Sequence, residues 1–238
     1  HSLYNECLAI SQKVLGSEHA DTLIVMNNLA SLYHTQGKDQ PAEQLYKQVL
    51  DGEIKIYGKE DAMTLMTMNN LACLYRDIER DDEAESLFLE CIDIGRKVME
   101  EDAPELFAFM MSRGLLYEYQ GSFEKAESCY TDVYKRKKEI FGDEDIYTME
   151  TQYRLGKLYV CMEKYELAES LISQALNIFL ESPLIRETQS LEAMNQLAVV
   201  YLHRGYHEKA EETGQKCLER RTLILGDTHP KTMETVMV

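Results

Sequence analysis

The chain has 238 residues, 45% of them hydrophobic, and a formal net charge of −17 from 25 Lys and Arg against 42 Asp and Glu. No apolar run approaches the ~20 residues that cross a bilayer as a helix, and no signal peptide opens the sequence. The acidic balance argues against nucleic acid or an anionic membrane surface as a partner, so the expectation is a soluble, cytoplasmic protein with no membrane insertion.

A fixed period runs through the whole sequence. Ala30, Ala72, Gly114, Gly156 and Ala198 lie 42 residues apart, and three residues beyond each stands Tyr33, Tyr75, Tyr117, Tyr159 or Tyr201. Twelve residues beyond each small residue comes an Ala-Glu pair: Ala42-Glu43, Ala84-Glu85, Ala126-Glu127, Ala168-Glu169 and Ala210-Glu211. A period of this size specifies a stack of like supersecondary units rather than a domain with one central pocket.

In chain order, Leu3 to Val14 reads as a second helix without its first. In the first complete unit Leu23, Met26, Leu29, Ala30, Leu32 and Tyr33 recur at helical spacing. Gly37, Lys38 and Asp39 break that pattern, and Ala42, Leu45, Tyr46, Val49 and Leu50 start another, with Pro41 in its first turn. Gly121-Ser122 and Gly205 mark the same break later on. Between units Gly16, Gly58, Gly142 and Gly226 end one helix, and an acidic or hydroxyl residue starts the next. Asp21-Thr22, Ala103-Pro104 and Ser182-Pro183 add start signals. Repeats fall at approximately 16–57, 58–99, 100–141, 142–183 and 184–225, with partial units at 1–15 and 226–238. Neither end reads as a polar cap, so the expectation is an excerpt of a longer array, with end-to-end packing open through uncapped termini. No β-branched alternation competes, and the fold class is all-α with short loops.

Within each unit the small residue and the later alanine allow close helix approach, and the tyrosine wedges between neighbours while its hydroxyl seeks a partner. Cys7, Cys91 and Cys217 share one repeat position with Val49, Val133 and Ala175, which reads as a small buried slot. A reducing compartment follows for these thiols. No zinc spacing, phosphate loop or nucleotide fingerprint is present, so no metal, no cofactor and no catalytic residue is expected. The six histidines, His1, His19, His34, His203, His207 and His229, fall at loops or unmatched positions.

The pattern resembles the tetratricopeptide repeat in the 42-residue version of kinesin light chains. The resemblance is carried by Gly16-Ser17-Glu18-His19-Ala20-Asp21-Thr22-Leu23, by Asn27-Asn28-Leu29-Ala30-Ser31-Leu32-Tyr33, by Gly37-Lys38, and by Ala42-Glu43-Gln44-Leu45-Tyr46. The third and fourth units depart from it, with Met111-Ser112-Arg113-Gly114 and Tyr153-Arg154-Leu155-Gly156 in place of Asn-Asn-Leu-Ala. The resemblance implies a right-handed superhelical solenoid of antiparallel helix pairs and a concave groove lined by the first helices. Carried onto this sequence, the groove positions include Asn27, Asn69, Arg76, Met111, Leu115, Tyr119, Tyr153, Lys157, Asn195, Val199 and Leu202.

Asn27, Asn69 and Asn195 recur at one groove position. A carboxamide donates and accepts, so such a row suits the backbone of an extended peptide, or else hydrogen bonds to neighbouring helices. From the third unit on the groove turns apolar, as a contact surface or as side chains buried against the next helix. Arg113 occupies a leucine slot. With Arg154 and Lys157 it forms a candidate carboxylate-binding spot, or it pairs internally with an acid such as Glu118 or Glu150.

Three functions stay open. The first is a non-enzymatic scaffold for a peptide or protein segment, including cargo adaptation of the kinesin-light-chain type. The second is a sensor segment of a larger signalling protein, such as an NTPase-linked receptor. The third is an enzyme holding substrate in the groove, for which the residues offer no catalytic constellation.

Overall fold

The structure is a computed structural model that describes residues 2–181 and 187–236. Among these residues there are helices and no strand, and the chain divides into two compact units, His1–Gly121 and Ser122–Val238. Unit 1 holds α1 (Ser2–Leu15), α2 (Ala20–Thr35), α3 (Asp39–Tyr57), α4 (Ala62–Asp77), α5 (Asp81–Val98) and α6 (Pro104–Tyr119). Unit 2 holds α7 (Phe123–Phe141), α8 (Ile146–Cys161), α9 (Tyr165–Glu181), α10 (Glu187–His203), α11 (His207–Leu225) and α12 (Pro230–Val236). Each helix packs on the next within its unit, the arrangement of an all-α solenoid of helix pairs. The start signal at Ser182-Pro183 lies outside the described residues.

The helix boundaries follow from local chemistry. Gly58 and Gly142 close α3 and α7 with φ of 87° and 93°, a left-handed conformation that glycine adopts without steric cost. Three residues on, Asp61 and Asp145 cap α4 and α8 by accepting the N–H groups of Met63 and Tyr147, each at 2.9 Å. The matching positions at His19 and His229 use imidazole instead, their Nδ1 atoms accepting from Asp21 N–H at 3.2 Å and Lys231 N–H at 3.3 Å. Asp21, expected as a start signal, therefore sits inside the first turn of α2 and the cap is His19.

The small residues do what their size suggests. Ala30, Ala72, Ala84, Ala126, Ala168 and Ala198 are wholly buried. They let aromatic and branched side chains close the core: Tyr46, Leu74, Phe88 and Leu116 in unit 1, and Ile172, Leu176, Phe179 and Leu197 in unit 2. The tyrosine and the Ala-Glu motif turn out to be two halves of one tie. Tyr75 Oη donates to Glu43 at 3.1 Å, Tyr117 Oη to Glu85 at 2.5 Å and Tyr159 Oη to Glu127 at 2.8 Å, each bond spanning 32 residues of sequence. Every such bond joins a first helix to the second helix of the repeat before it.

The shared cysteine slot divides. Cys91 and Cys217 are buried and donate to the carbonyls of Leu65 and Leu191, whereas Cys7 is exposed on α1, which among the described residues packs chiefly against α2. The same lack of neighbours leaves Leu3, Ile10 and Val14 of α1 exposed. Arg113 also departs from its register: Leu29 and Leu71 are buried there, but Arg113 is half-buried, with its guanidinium 5.8 Å from the Tyr117 ring centroid.

Candidate functional site

In unit 1 the groove positions fall on α2, α4 and α6. Asn27 and Asn69 are half-buried, and the carboxamide oxygen of each is buried with no hydrogen-bond partner in the protein. The Asn69 amide nitrogen finds only a sulfur, Cys73 Sγ at 3.9 Å on its own helix. Hydrogen bonding of these oxygens to neighbouring helices, one of the two sequence expectations, is not what the packing produces. Met111 and Leu115 are half-buried, while Tyr119 is 74% exposed.

Arg76 is not a free cation. Its guanidinium, only 11% exposed, donates to Asp77 Oδ1 at 2.8 Å and lies 5.3 Å from the Tyr119 ring centroid. Asp77 also accepts from His34 Nε2 at 2.9 Å. Both His34–Asp77 and Arg76–Tyr119 run from residue i to i+43, so one network laces three consecutive first helices. The sequence signal was that diagonal spacing, which an aligned-column reading passes over. Arg76, Asp77, Glu79, Asp81 and Tyr119 line a cleft of about 640 Å³. With Arg76 offset by Asp77, the remaining carboxylates of Glu79 and Asp81 leave the cleft acidic. Glu79 has a φ of 61° where the matching residues are Gly37 and Gly121, so its side chain is held there against backbone preference.

In unit 2 the positions fall on α8 and α10. Tyr153 stands in the asparagine register, edge-on to Phe179 with ring centroids 5.8 Å apart. Its hydroxyl is buried without a partner, and burial, reinforced by the Glu192 carboxylate, pushes its ionisation well above the ordinary tyrosine range. Arg154 is half-buried and acts on Tyr153 in the opposite direction. Lys157 lies 5.9 Å from the Tyr153 ring centroid and 3.9 Å from Glu192. Glu192 also takes Arg221 at 3.0 Å and Lys231 at 3.8 Å, so three cations share one carboxylate. Asn195 is 8% exposed and its carboxamide oxygen again has no partner. Val199 is half-buried and Leu202 is 41% exposed.

One register thus buries a partnerless oxygen in each of Asn27, Asn69, Tyr153 and Asn195, with Met111 as the apolar exception. Such an oxygen costs about 1–3 kcal/mol when it accepts nothing. Arg113 belongs to unit 1, and Arg154 and Lys157 belong to unit 2.

Four of the described histidines take up structural posts. His19 and His229 are caps at a matched repeat position, His34 is bound to Asp77, and His203 stacks on Tyr165 with centroids 4.5 Å apart. Among the described residues no three His, Cys, Asp or Glu side chains converge as metal ligands, and no helix is long and apolar enough to cross a membrane.

Comparison with curated protein sequences gives no match. Among solved structures, BtubC (BKLC) from P. vanneervenii superposes with a TM-score of 0.80 at 19% identity, over 96% of this chain and 92% of that one. A putative kinesin light chain of Podosopora anserina with nearly identical TPR-like repeats gives 0.71 at 21% identity, over 87% and 98%. The Rap conjugation gene regulator of plasmid pLS20, solved in complex with the Phr* peptide, gives 0.67 at 15% identity, over 90% and 57%. At these identities the likeness is one of fold. Profiles described as the tetratricopeptide repeat match residues 2–52 and 106–181, and residues 64–105 and 190–231. The chain belongs to the tetratricopeptide-repeat family.

Proposed function

We propose that this chain is a non-enzymatic interaction scaffold that binds an extended peptide segment along its first helices. The observation that carries the reading is the row of buried oxygens at Asn27, Asn69, Tyr153 and Asn195. Each is an acceptor that the protein leaves unused, and a peptide backbone supplies N–H donors in a regular series. Because the carboxamide oxygens face inward, a half-turn of the side-chain amide brings the oxygen to the nitrogen's place, so the same residues can serve either backbone group. Met111, Leu115, Val199 and Leu202 then supply apolar contact between the polar points. The Rap regulator solved with a peptide supports this use of the fold.

Charge favours a partner carrying Lys or Arg over one rich in acids. Arg76 is taken by Asp77 and Lys157 faces Glu192, which leaves the unit 1 cleft with Glu79, Asp81 and the exposed ring of Tyr119. Together with a net charge of −17, this arrangement steers cations inward.

The test is fluorescence anisotropy of length-matched peptides of differing net charge, titrated against the full chain. Basic peptides should bind best, and Asn69→Leu or Asn195→Leu should each weaken binding about tenfold, or ~1.4 kcal/mol. The same replacements should leave thermal stability equal or higher, because they remove an unsatisfied oxygen. Unchanged binding by both variants, or a preference for acidic peptides, would overturn the reading.

A further inference from the structure

Every second junction between repeats places an ionisable side chain at one position, buried at Glu53 and Arg221 and half-buried at Lys137. Glu53, Lys137 and Arg221 stand 84 residues apart, each 14 residues before a threonine: Thr67, Thr151 and Thr235. At two intervening junctions the same pair of positions is Gly95 with Phe109 and Phe179 with Ala193, all buried. The cationic versions satisfy themselves. Lys137 Nζ donates to Thr151 Oγ1 at 3.0 Å and to the Tyr147 carbonyl at 3.2 Å. Arg221, 1% exposed, donates to Thr235 Oγ1 at 2.8 Å, to the Lys231 carbonyl at 2.5 Å and to Glu192 at 3.0 Å.

Glu53 does not: an ionised carboxylate only accepts, and its Oε2 finds no donor. It is 1% exposed, at the joint between α3 and α4. Its Oε2 and the Thr67 hydroxyl are both buried without a hydrogen bond of full geometry, although Thr67 lies near enough to favour the ionised form a little. The charged group that acts on it from α4 is another acid, Asp61 at the helix cap. From the other side α2 turns the uncharged Leu23 and Met26 against α3. On α3 itself Asp51 and Lys55 are exposed, and Lys55 is engaged by Glu18 at 2.8 Å. An ionised Glu53 therefore sits in an apolar seam with a like charge nearby and no cation opposite, an arrangement that costs far more than the neutral acid does. Protonated, the carboxyl gains a donor that Thr67 Oγ1 can accept.

We propose that the α3–α4 joint of unit 1 is a proton-controlled joint, closed while Glu53 holds a proton and loosened when it releases it. Because α2 carries Asn27 and α4 carries Asn69 and Arg76, the joint sets how these groove residues face one another; this consequence rests on the peptide-binding reading, whereas the joint itself does not. Burial pushes the Glu53 carboxyl up to about 7, with Thr67 lowering it somewhat and Asp61 adding to the rise. A raised carboxylate value means that the folded form keeps a proton the unfolded chain has already lost. The stabilising contribution is complete below about pH 4.5, declines as pH rises, and is gone above about pH 7.

Urea unfolding of the full chain and of Glu53→Gln, followed from pH 4.5 to 8.5, tests the proposal without any partner. The unfolding equilibrium constant of the native sequence should rise relative to that of the variant by about tenfold per pH unit up to about pH 7, then level off. In the native sequence, amide protection factors of α3 and α4 should fall over the same range while those of α5 and α6 hold, a measurement that stands even where the variant folds poorly. Parallel pH curves for the two proteins, or equal loss of protection across α3 to α6, would overturn the joint. Both outcomes are independent of peptide affinity.

Discussion

Gly156 shows how one atom decides a joint. The register it occupies holds alanine at positions 30, 72 and 198, so the repeat pattern alone would nominate Gly156→Ala as a stabilising change. The local packing says otherwise. A Cβ at 156 would come within 2.7 Å of Ile172 Cγ1, 3.3 Å of Leu171 Cβ and 3.4 Å of the Ile172 backbone nitrogen. These atoms belong to a branched side chain and a helix backbone, so α8 and α9 must separate. Gly214, in the middle of α11, is the control, since its added Cβ would meet only Ala198 Cβ at 4.0 Å. We expect Gly156→Ala to lose about 1–3 kcal/mol in urea unfolding and Gly214→Ala to gain about 0.5–1 kcal/mol. A gain for both would mean that α8 and α9 do not approach as closely as described. The same residue-scale logic separates the thiols of one register: Cys91 is buried and Cys7 is not, although the sequence gives them the same slot.

Between elements, the repeated tie from tyrosine to glutamate locks α4, α6 and α8 onto α3, α5 and α7, and Glu43 is its most heavily engaged version. Lys47 donates to it at 2.7 Å, Arg80 at 2.8 Å and Tyr75 at 3.1 Å. Lys47, with Arg80 and Tyr75, holds the Glu43 carboxyl down to about 2, against the opposing effect of burial. A depressed carboxylate value makes its contribution complete above about pH 4.5 and lost as pH falls toward 2, the reverse of the window for Glu53. An acid titration of helicity should therefore show the native chain losing stability across that lower range, and Glu43→Gln should flatten the slope there while being less stable at neutral pH. Equal slopes would show that the tie contributes nothing. The partners of this tie were legible as separate motifs, since the tyrosines and the Ala-Glu pairs stand out by period. Their contact was not, because a bond between residues 32 apart depends on how two helices lie together.

At the scale of the whole molecule, the two units can be compared by what each hides. Cys91 and Cys129, one in each unit, are buried along with Cys217, Cys73 is half-buried, and Cys7 and Cys161 are exposed. Burial pushes the Cys91 thiol up to about 12, which further suppresses the reactive thiolate. Under native conditions a thiol reagent followed by peptide mass spectrometry should modify Cys7 and Cys161 quickly and the buried three only on unfolding. Rapid modification of Cys91 or Cys217 would contradict the packing of these repeats. The sequence by itself determined the register, the helix pairs and the buried alanines, because helix period, left-handed glycines and small-residue spacing act within a few residues of chain. Only the tertiary structure decided which groups are left over: Arg76 offset by Asp77, Lys157 facing Glu192, the oxygens of Asn27, Asn69, Tyr153 and Asn195 accepting nothing, and Glu53 sealed without a cation. Those outcomes depend on which side chains meet across helices, and that is set by packing distances of a few ångströms rather than by the repeat that brings the helices near.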